Sequence, residues 1–280
     1  MRADLHSHST ASDGTCPPAE VMRRASAAGL DAIALTDHDT VGGHAAARAA
    51  LPPGLTLVPG MELSCRLDGH SVHLLAYLFD PDDPELAAET ARIRESRLHR
   101  AEAMVERLAE LGVPVTWQRV REIAGEGVVG RPHVARAMVG AAVIESPDQA
   151  FGPDWIGEGG RAYVPRYALD PARAVALVRA AGGVSVLAHA RARGWEVPDD
   201  VIAGLAAAGL SGIEAWHPDH DHDQRLQLQA LADRLNLVAS GGSDDHGELT
   251  GYRIGSDTIT PDAYERLIAQ ATGAVPVTGR

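Results

Sequence analysis

The chain has 280 residues, 45% of them hydrophobic, a length normal for a single α/β barrel that carries an insertion. Its net charge of −13 argues against a long nucleic acid laid along an open groove, but not against a small phosphorylated substrate in a metal-rich pocket. It contains no lysine, which excludes Schiff-base chemistry and a lysine-dependent phosphate loop, so a cationic phosphate clamp must be arginine or metal.

Residues 3–6 read as a short strand ending in a polar run, and 17–28 as a helix closed by Gly29. Residues 31–36 (DAIALT) form an apolar strand that ends at Asp37-His38-Asp39. A helix over 41–50 and a strand over 55–58, ending near Glu62, follow. Residues 71–79 (SVHLLAYLF) are a further strand, with 65–67 across Asp68-Gly69 as its candidate partner. The pattern then changes to a long charged helix over 84–111, shorter helical pieces to about 152, and Gly-rich loops at 125–130 and 157–160. Taken alone, that charge run reads as a solvated helix face. In context, 84–161 reads as a helical insertion covering the active face of a barrel made from 1–83 and 162–280. Alternation resumes with a helix at 171–181, a strand at 184–188 ending at His189, and a helix at 198–208. A strand at 212–216 ends at His217, a helix spans 221–235, and a strand at 237–240 runs into Gly241-Gly242-Ser243-Asp244-Asp245-His246. A final strand and helix complete the chain. Repeated strand–helix units predict a parallel sheet with right-handed crossovers. The polar residues gather at the C-terminal strand ends, the active edge of closed α/β barrels.

Cys16 and Cys65 are too few for a disulfide framework and read as small buried thiols. Apolar runs are short and broken by charge or Gly, so no membrane partner is expected. The start, Met1 to His6, shows no apolar signal core, which makes the cytoplasm the expected compartment.

Metal-type ligands recur at strand ends and adjacent loops. His-x-His on a strand places His6 and His8 on one face, because side chains alternate, and Asp244 with His246 repeats the spacing. A catalytic zinc takes three protein ligands. The nine residues His6, His8, Asp13, His38, Glu62, His73, His189, Asp244 and His246 are too many for one ion. They suffice for two or three divalent ions if a carboxylate bridges, and Glu62 on a central strand is the natural bridge. Mixed imidazole and carboxylate suits Mn, Fe or Zn. Two such ions roughly 3.5–4 Å apart activate water and stabilise the attacking and leaving oxygens. Any one of these histidines alone reads as a hydrogen-bonded structural residue; the combination is specific.

The strings Asp4-Leu5-His6-Ser7-His8-Ser9, Ser12-Asp13-Gly14, Thr36-Asp37-His38-Asp39, Gly60-Met61-Glu62-Leu63-Ser64, Leu187-Ala188-His189 and Gly242-Ser243-Asp244-Asp245-His246 resemble the PHP family, the polymerase and histidinol phosphatase phosphoesterases. The resemblance runs from about residue 2 to 257. It implies a distorted seven-stranded α/β barrel and a trinuclear site. It also implies three ligand groups: His6, His8, Glu62 and Asp244; Glu62, His73 and His189; and Asp13, His38 and His246. His73 is preferred to His70 because the apolar strand itself flanks it. Ala190 departs from the family, where Pro more often follows the ligand His.

Within the family, the insertion and the strings Gly130-Arg131-Pro132-His133 and Ile213-Glu214-Ala215-Trp216-His217 look most like the branch acting on nucleotides, which includes 3′,5′-nucleotide bisphosphate phosphatases and a 5′-to-3′ exoribonuclease. Arg131 and His133 are the candidates for binding substrate phosphate. His217, expected to protonate the leaving oxygen, and Asp37 are the candidate catalytic groups. His220 and His222 read as a polar helix start. The expected partner is a small phosphorylated molecule, a nucleotide ester cleaved by metal-activated water. The alternatives are a histidinol-phosphate or sugar-phosphate phosphatase, an amide hydrolase, and a non-catalytic metal-binding module. Against the last stands the completeness of the ligand set. A serine hydrolase falls behind because no Gly-x-Ser-x-Gly appears.

Overall fold

A computed structural model describes residues 1–192 and 195–280. Short apolar runs become largely buried strands, and helices precede most of them. In chain order these are β1 (Ala3–Asp4), α1 (Pro18–Ala27), β2 (Ala32–Leu35), α2 (His44–Ala49), β3 (Thr56–Leu67) and β4 (His70–Tyr77). The helices α3 (Pro84–Glu110), α4 (Trp117–Ala124) and α5 (Arg131–Gly140) follow. Then come α6 (Pro171–Ala180), β5 (Val184–Leu187), α7 (Asp199–Ala208), β6 (Gly212–Trp216), α8 (His222–Leu235), β7 (Val238–Gly241), α9 (Pro261–Ile268) and β8 (Val277–Thr278).

Among the described residues the strands lie in the order β1-β2-β3-β4-β5-β6-β7, with β8 beside β3. The two ends of this path nearly meet: Leu5 N–H donates to Gly241 O at 3.2 Å and His8 N–H to Asp245 O at 2.9 Å. The result is a distorted seven-stranded barrel flanked by helices.

The sheet is mixed, not parallel throughout as the strand–helix alternation predicts. β4 runs antiparallel to both β3 and β5. The cause is the two-residue turn Asp68–Gly69, with φ of 47° and 90°, the left-handed pair of a type I′ hairpin. The expected strand at 55–58 and the separate segment 65–67 belong to one 12-residue strand, β3, and 65–67 pairs across the turn with β4 as expected. At the C-terminus the helix α9 precedes the strand β8, the reverse of the expected order.

The helix α3 ties two cores together. Leu86 and Ile93 belong to the barrel's apolar cluster, whereas Ala101, Met104 and Leu108 pack with Val120, Val134 and Met138 of the following helices and with Ile156 beyond them. Each such large side chain contributes about 1.5–3 kcal/mol on burial. Its start is set by Asp83, whose carboxylate caps Leu86 N–H at 2.9 Å, with Pro84 in the first turn. Polar contacts fix this helical layer to the barrel mouth. Arg97 Nε donates to Asp39 Oδ2 at 2.6 Å and another guanidinium nitrogen to Ser64 Oγ at 2.7 Å. Val128 N–H reaches Ala11 O at 2.9 Å. Among the described residues no helix is long and apolar enough to cross a membrane.

Candidate metal centre

The barrel mouth gathers its ligands by two routes. β1 and β7 end in loops that carry His6, His8, Asp244 and His246, and the loops after His8 and β2 add Asp13 and His38. Glu62 lies on β3 just past the end of its parallel ladder with β2, and His73 lies within β4, which runs against its neighbours so that the strand-end rule does not reach it. The ladder sets Ser64 opposite His73, so Glu62 and His73 are diagonal neighbours on one face. His73 Nδ1 lies 2.7 Å from Glu62 Oε1. His70 stacks on Trp195 at 4.4 Å between ring centres.

Four donor atoms converge first. His6 Nε2 lies 3.4 Å and His8 Nε2 3.1 Å from Glu62 Oε2, and both lie 3.3 Å from Asp244 Oδ1. A tetrahedral ion with bonds of about 2.1 Å spaces its donors about 3.4 Å apart. The other Glu62 oxygen meets His73 and, at 3.0 Å, His189 Nε2. Asp13, His38 and His246 form a third group, which His8 joins, and their ligand atoms all fall within 4.8 Å of one another. His38 Nδ1 also reaches Glu62 Oε2 at 3.1 Å. Glu62 thus touches all three groups.

The chemistry of this set suits cations. The Nε2 atoms of His6 and His8 and Nδ1 of His38 are buried and make no hydrogen bond among the described residues. Such orphaned acceptors are costly unless a ligand occupies them. Burial pushes the His8 imidazole down, yet Asp244 and Glu62 outweigh it and lift it to about 10. His6 also stands well above its usual range, burial being overcome by Glu214, Asp244 and Glu62. Burial pushes the Glu62 carboxyl up, but His38, His73 and His6 hold it well below the usual range. The pocket favours positive charge, which divalent ions supply. Backbone strain accompanies the site: His189 and Asp244 have φ of 29° and 49°, left-handed values rare outside glycine.

Outer residues orient this set. Asp37, expected to be catalytic, faces away from the ligands. Its Oδ1 accepts Ser9 N–H and Ser12 Oγ–H, both at 2.7 Å, and its Oδ2 accepts Ser9 Oγ–H at 2.7 Å. Both oxygens are spent on shaping the loop between His8 and Asp13, so Asp37 is a positioning residue. His217 is fully buried, and its Nδ1 accepts Asp219 N–H at 3.1 Å. The ring hydrogen therefore sits on Nε2, which lies 3.4 Å from Asp244 Oδ2 without making a hydrogen bond. His133 is 1% exposed and its Nδ1 accepts Gly130 N–H at 2.9 Å, which shapes the loop that carries Arg131. His220 is buried, with Nδ1 on Ala215 O at 3.2 Å and Nε2 accepting Arg191 N–H at 3.2 Å, while Asp221 caps the helix that His222 begins.

Sequence reasoning missed two features. Glu214 is fully buried between Ile213 and Ala215, with one oxygen on His6 and the other on His189. A lone acid inside an apolar strand was its available signal. The second is a recess lined by Arg66, Ser71, Arg100, Arg131, Tyr163 and Arg166. Arg66 pairs with Glu158 at 3.0 Å. Arg100 is 9% exposed and makes no hydrogen bond or ion pair among the described residues. Burial, then Arg131, Arg166 and Arg97, hold its guanidinium well below the usual range. Arg166 falls to about 10, first through burial and then through Arg97. The recess adjoins the ligands, since Ser71 Oγ lies 3.4 Å from His73 Nε2. A cluster of cations with so few carboxylates calls for an anion.

Comparison with known proteins identifies the family. Residues 4–82 match the family model described as the PHP domain. The chain is 33% identical over 263 residues to a 5′-3′ exoribonuclease of Haemophilus influenzae, covering 93% of this chain and 95% of the relative. It is 35% identical over 254 residues to a 3′,5′-nucleoside bisphosphate phosphatase of Chromobacterium violaceum, covering 89% of each. A solved structure from Bifidobacterium adolescentis, described as a metal-dependent phosphoesterase, superposes with a TM-score of 0.90 at 33% identity over 96% of both chains.

Proposed function

Because the chain belongs to the PHP family and is a metal-dependent phosphoric ester hydrolase, we propose that it hydrolyses a phosphate ester of a small nucleotide. The substrate class is a 3′,5′-bisphosphorylated nucleotide, AMP or a short oligoribonucleotide. The observation that carries this reading is the arginine recess beside the ligand cluster, in which the buried Arg100 has no carboxylate partner. Monoesters with one phosphate, histidinol phosphate and AMP alike, offer no second anion to fill it, so within this class the recess favours the bisphosphorylated nucleotide and the oligoribonucleotide. The names of the two relatives, one a bisphosphate phosphatase and one an exoribonuclease, point to the same class.

We assign the ligand groups as His6, His8, Glu62 and Asp244; Glu62, His73 and His189; and Asp13, His38 and His246, for two or three ions of Mn, Fe or Zn. Bound there, the ions supply an activated water and neutralise charge on the phosphoryl oxygens. The protein's own groups do the rest. Arg100, Arg131 and Arg166 hold the non-reacting phosphate and so place the ester over the ligands. His217 offers its unspent Nε2–H to a phosphoryl oxygen. The helical segment 84–161 covers the mouth and excludes bulk water.

The test is metal analysis of protein purified without chelator, followed by turnover of 3′,5′-bisphosphorylated adenosine, AMP, short 5′-phosphorylated RNA and histidinol phosphate. The expected result is bound divalent metal and the highest kcat/KM on a nucleotide. Preference for histidinol phosphate over every nucleotide overturns the substrate assignment.

A further inference from the structure

We infer that Glu214 is a positioning residue that fixes the metal-binding tautomer of His6 and anchors the backbone of His189, so that one carboxylate orients ligands of two neighbouring cation positions. The inference rests on the metal-dependent reading above.

β6 reaches the barrel interior with a register shift against β7 between Glu214 and Trp216. Irregularities of this kind re-aim side chains beside functional sites. Here the result is a carboxylate with no exposed surface, flanked by the fully buried Ile213 and Ala215. A charge in such surroundings persists only when its oxygens are paired. Glu214 Oε1 lies 2.9 Å from His6 Nδ1, and Oε2 accepts His189 N–H at 2.8 Å.

Each contact has a consequence at the metal centre. With its hydrogen held on Nδ1, His6 turns the lone pair of Nε2 toward Glu62 Oε2 at 3.4 Å and Asp244 Oδ1 at 3.3 Å. The other tautomer would point a hydrogen at the cation. His189 adopts a φ of 29°, and the bond from its amide to Glu214 fixes this turn, which brings Nε2 to 3.0 Å from Glu62 Oε1. Both partners are N–H donors, so both oxygens must accept. Glutamine has only one such oxygen. Either orientation of its amide sets an NH2 against His6 Nδ1 or against the His189 amide. Glu214, His6 and His217 place donor atoms near one another, but the oxygens of Glu214 are already spent and His217 carries its hydrogen on Nε2, so they make no further cation position.

The test compares wild type with Glu214→Gln by Mn2+ equilibrium dialysis with metal analysis, alongside circular dichroism of both metal-free proteins. The expected result is an unchanged fold and a 10–100-fold loss of affinity for at least one ion. Wild type that binds Mn2+ and E214Q that binds it with the same stoichiometry and affinity overturn the inference alone. Wild type that binds no divalent metal overturns the reading beneath it. Should E214Q not fold, long-range 1H–15N spectra of Zn2+-loaded wild type with labelled histidine decide the matter. A hydrogen on His6 Nδ1 supports the assignment, and one on Nε2 overturns it.

Discussion

Replacing Arg97 with Met tests how the helical layer is fastened to the metal site. The guanidinium is 7% exposed and pairs at 2.6 Å with Asp39, which is fully buried and follows the ligand His38. Removing one partner of a buried pair costs about 3–5 kcal/mol. Two features draw the cost to the lower end. Asp39 keeps Ser64 N–H and Ser64 Oγ–H, both at 2.7 Å. Loss of Arg97 also relieves Arg100 and Arg166, whose guanidinium groups it depresses. We therefore expect about 3 kcal/mol. At about 2.1 cal/mol/K of unfolding entropy per residue, the 280-residue chain loses about 5 °C in Tm. Calorimetry of the metal-free protein reads this directly. An Asp39→Asn/Arg97→Met double variant should lose less than the sum of the single losses, because the partners are coupled. A Tm drop below about 1 °C, or strict additivity, refutes the reasoning.

Gly242→Ala should displace His6, since the added Cβ would lie 2.4 Å from His6 Cβ; the expected cost is about 1–3 kcal/mol with loss of bound metal, and a full metal complement at unchanged Tm contradicts it. Returning Mn2+ to chelated protein at about a thousand times its Kd should add about 4 kcal/mol and raise Tm by about 7 °C; a flat melting curve counts against the centre. Glu214 is the group to follow in acid. Burial pushes its carboxyl up, but His6 and His217 prevail and hold it at about 2 against 4.5 when unfolded. Its contribution of ~3 kcal/mol is whole above about pH 4.5 and is lost as the pH falls toward 2. Urea unfolding of metal-free protein at pH 6 and pH 3 should show this loss in wild type and not in E214Q.

The strand–helix alternation and the gathering of the candidate ligands at one mouth were legible in the sequence where they rest on a local rule. His6 and His8 share a face by strand alternation, and Asp244 with His246 repeats it, so proximity in the chain gave proximity in space. Hidden features depend on contacts between distant segments. Nothing local distinguishes Asp37, spent on Ser9 and Ser12, from a carboxylate aimed at a substrate. The role of His217 turned on which ring nitrogen meets Asp219 N–H. Arg97 and Arg100 read as part of a solvated charge run, yet α3 turns them inward at a spacing of three residues, one to an acid and one to the arginine recess. The pairing of 65–67 with the strand after Asp68-Gly69 was legible from the two-residue turn; the antiparallel run of β4 against β5 was not, because it joins segments more than a hundred residues apart.

That turn governs more than the outline of the sheet. Asp68 and Gly69 sit at the far tip of the hairpin and hold Leu67 opposite His70. A slip of one residue there would invert the facing of every side chain along one arm. His73 would leave the mouth while Glu62 stayed, and a bridging carboxylate would lose its imidazole. Two residues that touch neither cation nor substrate therefore decide whether the hydrolytic chemistry can be assembled. Lengthening this tip by one residue should be far less tolerable than lengthening any loop of the helical cover.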